Sequence, residues 1–167
     1  MGRRRGPDPR SVEAVYDRFA PGVLGFFRSH RAADPEGLAG DVFVSVSRRL
    51  GSFDGDDEAL RRWVFTIAHH RWVDEVRAAA RRPSTVPGDG IELVAPPPEP
   101  AVDPALVEAL GALTPEQREV VVLRHVADLS VADVARATGR SEGSVKMLCA
   151  RGLEALAGQL APTVDPA

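Results

Sequence analysis

The residues best suited to bond-making chemistry are few in this chain and poorly placed for it. His69 and His70 are adjacent, so on a helix they point about 100° apart and cannot share a metal as an i, i+4 pair would. No third ligand stands near them. Cys149 is the only cysteine, which leaves no disulfide framework and no cysteine-based zinc site. With no nucleophile beside a base and no paired acid and base, the sequence predicts neither an enzyme nor a cofactor nor a metal site. What remains is recognition chemistry, concentrated in Val131 to Leu148, which reads VADVARATGRSEGSVKML. Ser130 is placed to cap a first helix, with Asp133 three residues on completing a capping-box-like pair. Ala135 is small where two helices must cross, and Gly139 stands where the chain leaves the first helix and positive φ is often required. Ser141 is placed to cap a second helix. Val131, Val134, Ala135, Val145 and Leu148 then close a small core between the two. This is the residue logic of a helix-turn-helix that reads DNA. An αα-hairpin with no DNA role is the alternative.

Composition sets the frame around that stretch. The chain has 167 residues, 44% of them hydrophobic, enough to bury a core in one domain or two small ones. No apolar run reaches bilayer length, and Arg3-Arg4-Arg5 is not followed by the apolar core of a secretory signal, so a cytoplasmic protein without membrane insertion is expected. Net charge is −3, at first sight wrong for a nucleic-acid binder. The distribution is more informative: residues 1–82 balance at +3, residues 83–104 at −4 and residues 105–167 at −2. The helix-turn-helix half is therefore not basic.

The elements that must position these groups are all helical. Residues 1–10 form an Arg-, Gly- and Pro-rich arm. Apolar residues then recur at helical spacing as Val12, Val15, Tyr16, Phe19, Val23, Leu24, Phe26 and Phe27, with Pro21 near the start of a second helical segment. A helix over about Pro35 to Leu50 is expected to bury Leu38, Val42, Phe43, Val46 and Leu50. Gly51 to Asp57 reads as a loop carrying the aromatic Phe53. A long helix from Ala59 to about Arg81 presents Leu60, Trp63, Val64, Ile67, Ala68, Val73 and Val76 on one face. Its other face carries Arg61, Arg62, Arg71, Arg77, Arg81 and Arg82, and Trp72 falls off the apolar stripe. Residues 83–104 contain seven prolines and no base, the composition of an extended linker. Beyond it come a helix over Ala105 to Leu113 and a second entered through Thr114-Pro115-Glu116-Gln117, with an N-cap, a first-turn proline and a capping-box Gln. That second helix is expected to bury Val120, Val121, Leu123 and Val126. The fold class is thus all-α, two small helical domains at 11–82 and 105–160, the second holding the helix-turn-helix, with a tail at 161–167.

Two domains of helices, a proline-rich linker and a terminal helix-turn-helix resemble the extracytoplasmic-function (ECF) sigma factors of the sigma-70 family. In the first domain the resemblance is carried by Tyr16-Asp17-Arg18-Phe19-Ala20-Pro21, Asp41-Val42-Phe43, Leu60 through Ala68 (LRRWVFTIA) and Asp74. In the second it is carried by Leu113 through Val120 (LTPEQREV), Leu123-Arg124, Leu129-Ser130 and Glu142 through Lys146 (EGSVK). The resemblance implies a protein that binds core RNA polymerase, reads the −35 and −10 elements of promoter DNA and helps to open it. It implies polymerase contacts at Asp41 and Arg48. It also implies a pocket for an extracted −10 base between the Gly51–Asp57 loop and the helix around His69 and His70, with Phe53 offering a stacking face. Unstacking a base costs a few kcal/mol, which such a pocket must offset. Arg61, Arg62, Arg71 and Arg77 would hold phosphates beside it. For the −35 element it implies Ser141, Glu142, Ser144, Lys146, Met147 and Arg151 in the major groove. An anti-sigma factor is a further partner of this kind, and the acidic linker would thread towards the polymerase active site.

The chain also departs from that pattern. After Val145-Lys146 the family usually continues with a small residue and then Arg, whereas this chain continues Met147-Leu148-Cys149. A missing bidentate Arg forgoes about 1–3 kcal/mol of base discrimination, so the second domain alone is expected to bind DNA weakly. The acids Asp54, Asp56, Asp57 and Glu58 would repel a phosphate backbone unless they face away. Two other functions fit the same elements: a stand-alone helix-turn-helix regulator, and a degenerate sigma factor acting only through protein partners.

Overall fold

The structure is a computed structural model, and it describes residues 10–81 and 103–160. Residues 1–9, 82–102 and 161–167, which hold the arm, Arg82, most of the linker and the tail, lie outside the described residues. The last two residues assigned to the linker belong to the second body, where Asp103 caps the helix that Pro104 opens, accepting from the Ala105 amide at 2.9 Å. Within them the fold is all-α. The first body consists of α1 (Val12–Ser29), α2 (Pro35–Arg49), a short 3-10 turn (Leu50–Ser52) and α3 (Asp57–Arg81). The second consists of α4 (Pro104–Gly111), α5 (Pro115–Val121) with a π turn over Val122–Val126, α6 (Val131–Thr138) and α7 (Glu142–Leu160).

In α1, Ser11 caps the N-terminus by accepting from the Ala14 amide at 3.2 Å. The expected break at Pro21 does not occur: α1 is one helix of 18 residues with Pro21 inside it. Pro21 is exposed, while Val15, Phe19, Val23, Phe26 and Phe27 form an unbroken buried stripe through it. That burial outweighs the one backbone bond the proline cannot donate. Val12 and Tyr16, expected on the same stripe, are exposed instead. Tyr16 keeps an edge-to-face contact with Phe43 of α2.

Helix α2 is capped by Asp34, with Pro35 in the first turn, and buries Val42, Phe43 and Val46. Helix α3 starts two residues earlier than the apolar pattern suggests because Asp56 caps it, accepting from the Ala59 amide at 2.8 Å. Leu60, Val64, Phe65, Ile67 and Ala68 bury against α1 and α2. Further along, Val73 is only half-buried and Val76 exposed, against expectation, both bordering an open groove that α5 lines from its other side.

The second body follows the predicted caps closely. Thr114 and Gln117 form a reciprocal capping box at 3.2 and 3.3 Å. Arg118 ties α4 to α5 by donating to the carbonyls of Leu110, Gly111 and Leu113. The helix that buries Val120 and Val121 widens into the π turn, where the Ala127 amide reaches the Val122 carbonyl, and Val126 ends half-buried. Gly139 leaves α6 at φ +69°, the left-handed conformation its position called for. One buried apolar cluster runs through both bodies, α1 packing against α4 and the π turn.

Candidate nucleic-acid interface

Three features of the first body make a pocket. Phe53, at the end of the 3-10 turn, stacks on Trp63 of α3 with centroids 5.0 Å apart and planes 27° from parallel. One and two helical turns further on, Thr66 and His70 face the same way, and together these residues line a cavity of about 470 Å³. Arg62 stands at its edge. A stacked aromatic pair beside an imidazole and a guanidinium is chemistry suited to an unstacked base and its phosphate, while the Thr66 hydroxyl, donating to the Arg62 carbonyl at 2.7 Å, offers only acceptor lone pairs. His70 is exposed, as a contact to a ligand needs.

His69 sits differently. It is 3% exposed and points towards the second body, its Nε2 donating to Glu119 Oε1 at 2.9 Å. In this packing it faces protein, because the 100° step along α3 turns it away from His70. Two of the four acids here have local partners, whereas Asp54 lines the cavity and does not face away from it. Asp56 caps α3, and Asp57 pairs with Arg18 at 2.8 Å. Asp41 and Arg71, assigned to polymerase and to DNA respectively, are hydrogen-bonded to each other on the surface. Arg48 and Arg77 are exposed, and Arg61 is half-exposed near the Phe19 ring, 5.8 Å from its centroid.

In the second body, Ser130 caps α6 by accepting from the Asp133 amide at 3.1 Å. The capping pair is closed in a different way from that expected: the Ser130 hydroxyl itself donates to Asp133 Oδ2 at 2.7 Å. Val134, Ala135 and Val145 are buried between α6 and α7, with Val131 and Leu148 half-buried beside them. Helix α7 also lies close against α5 at Gly152, where a Cβ would meet Val121 at 2.6 Å. Ser141 caps α7 through the Ser144 amide at 3.2 Å. Glu142, Lys146, Met147 and Arg151 are exposed along α7, and Ser144 is half-exposed.

The groups that sequence reasoning missed lie between the bodies. Asp133 is 6% exposed and is flanked by Arg136 of its own helix at 2.6 Å and Arg62 of α3 at 3.5 Å. Glu119 is held between His69 and Arg140, the latter at 3.1 Å. Burial would raise the Glu119 carboxyl, but the bonds from His69 and Arg140 outweigh it and hold it below the usual carboxylate range. His30 is buried between Phe26 and Trp72, its Nδ1 donating to the Phe26 carbonyl at 2.9 Å. Desolvation lowers its pKa to about 4, the backbone bond opposing only in part. Sequence reasoning gave Asp133 a capping role and no partner outside its own helix, and gave Glu119 no role beyond its place in the LTPEQREV stretch.

These bodies give a two-part helical protein with a helix-turn-helix in its second part, and comparison with known proteins says which family it belongs to. Residues 15–82 match the family described as Sigma-70 region 2, and residues 104–156 the family described as Sigma-70, region 4. The chain is 30% identical over 170 residues to the RNA polymerase sigma factor CarQ of Myxococcus xanthus, spanning 93% of this chain and 92% of that protein. It is 31% identical over 152 residues to the ECF RNA polymerase sigma factor BldN of Streptomyces coelicolor. That match spans 86% of this chain but 58% of BldN. The fold is similar to that of the sigma factor RpoE of Bartonella quintana, solved with the anti-sigma factor NepR. The TM-score is 0.64 at 21% identity, covering 93% of this chain and 96% of that one. The chain belongs to the ECF sigma factors of the sigma-70 family.

Proposed function

We propose that the chain is a promoter-specificity subunit: it binds core RNA polymerase, reads the −35 and −10 elements and helps to open the DNA, without catalytic activity of its own. The observation that carries this reading is the pairing of two bodies in one chain. The region 2 body has an aromatic pocket rimmed by arginine, and the region 4 body is a capped helix-turn-helix with an exposed recognition helix. Phe53, Arg62 and His70 take the −10 base and its phosphate, with Arg61, Arg71 and Arg77 as further phosphate donors. Ser141, Glu142, Ser144, Lys146, Met147 and Arg151 face the −35 element. Asp41 and Arg48 on α2 face the polymerase, and Arg71 must leave Asp41 for both assignments to hold. His69 reaches nucleic acid only if the bodies separate.

The working compartment is the cytoplasm, where core polymerase is. Among the described residues no helix is long and apolar enough to cross a membrane. An anti-sigma factor is a further partner on this reading, as RpoE has one in NepR. Competition for core enzyme tests the proposal. The purified chain should displace a known sigma factor from core polymerase, and failure to do so under conditions where that factor binds would sink it.

A further inference from the structure

We propose that the two bodies are latched to each other by acidic side chains of the region 4 body, so that the unengaged protein holds its own −10 pocket shut. This rests on the reading of the Phe53–Trp63 cavity as the base pocket. The cavity is not closed by region 2 alone: Asp133, Arg136 and Ala137 of α6 line its remaining side. Asp133 occupies Arg62 at the mouth, offering it the same oxygen-anion partner a phosphate would. A second carboxylate, Glu119, takes His69 of α3 in the same manner, with Arg140 of its own body as the other partner. Each acid is thus held between a cation or imidazole of region 2 and an arginine of region 4.

The charge balance agrees with this arrangement. Residues 1–82 are net positive and residues 105–167 net negative, which is unfavourable for region 4 on DNA but complementary for region 4 on region 2. The apolar contact of α1 with α4 and the π turn supplies burial, while the two acids fix the register. Single-stranded DNA and α6 cannot occupy Arg62 and the cavity mouth together. Promoter opening therefore requires the bodies to part, and docking on polymerase is the step that parts them.

The test uses the full chain in a Cys149→Ser background, with dyes at Ser47→Cys on α2 and Glu154→Cys on α7. Single-molecule energy transfer should show one high-transfer population that Asp133→Asn shifts to low transfer. Arg62→Gln breaks the same pair from the other side and leaves the α6 cap intact, so it should give the same shift. Adding core polymerase should open the parent chain. If the competent fraction is roughly one in ten, Asp133→Asn should tighten binding of a single-stranded promoter oligonucleotide about tenfold. Circular dichroism checks that each variant keeps its helices. Unchanged transfer in both variants would overturn the latch, and so would opening without tighter DNA binding. Permanganate reactivity of promoter thymines in the polymerase complex reads the base pocket separately. Melting with unchanged transfer removes the latch alone, whereas no melting removes the −10 reading itself.

Discussion

His30 shows what a single buried group does to this molecule. Its ring is sandwiched between Phe26 and Trp72, with Arg118, Glu119 and His69 as the charged or titratable groups acting on it. The folded state holds it neutral down to about pH 4, whereas the unfolded chain protonates it near the ordinary value of 6.5. As pH falls the unfolded chain therefore takes up the proton first. The stability is complete above pH 6.5 and declines through about pH 4, by about 3 kcal/mol in total. Urea unfolding across that range should show the slope, and His30→Gln should flatten it. Lys146 acts at the same scale with the opposite exposure, as the only lysine and one of the few cations on the recognition helix. Lys146→Ala should lower promoter-specific initiation several-fold, by loss of about 1 kcal/mol or more of DNA contact. Core polymerase binding, read by competition, should not change. Equal loss of both would contradict the −35 assignment.

At the scale of elements, two of the three glycines of helix α7 have opposite roles. Gly152 lies at the α5 crossing, where a methyl group must push the β-branched, buried Val121. Gly143 in the first turn of α7 has nothing within 4 Å of an added Cβ. Gly143→Ala should stabilise by about 0.5–1 kcal/mol through helix propensity, and Gly152→Ala should destabilise by about 1–2 kcal/mol through overpacking. Thermal unfolding of the two variants reads both signs. The contrast also marks what was legible in the sequence. Caps and turn residues are local signals, so Thr114–Gln117, Ser130, Gly139 and Ser141 all stand where their chemistry placed them. The Gly152 contact depends on a crossing between α5 and α7 that no local pattern encodes. Pro21 misled for the same reason, since the stripe that carries α1 through it is buried by α2 and α3. Phe53 and His70 were placed at the pocket by resemblance, and the Phe53–Trp63 stack shows how their elements meet. His69, next to His70, was drawn inward by Glu119, a residue 50 positions away that no spacing rule connects to it.

For the whole molecule, the proposed reading of DNA has to be squared with an acidic second body, and two of its acids are accounted for by where they sit. Asp133 and Glu119 are turned towards region 2, and the exposed face of α7 keeps Lys146 and Arg151. On the proposed function, region 4 by itself should be a weak DNA ligand whose specificity is expressed on the polymerase, where the two bodies would engage promoter elements together. A stand-alone regulator would need the reverse: a basic recognition domain and affinity for an operator without polymerase. The measurement that separates these most directly is run-off transcription with core polymerase on a library of genomic fragments. The chain should direct initiation from a defined set of start sites that share a −35 and a −10 motif, with no product when either core enzyme or the chain is omitted. Absence of any chain-dependent transcript, together with a tight footprint by the chain alone at moderate salt, would contradict the assignment.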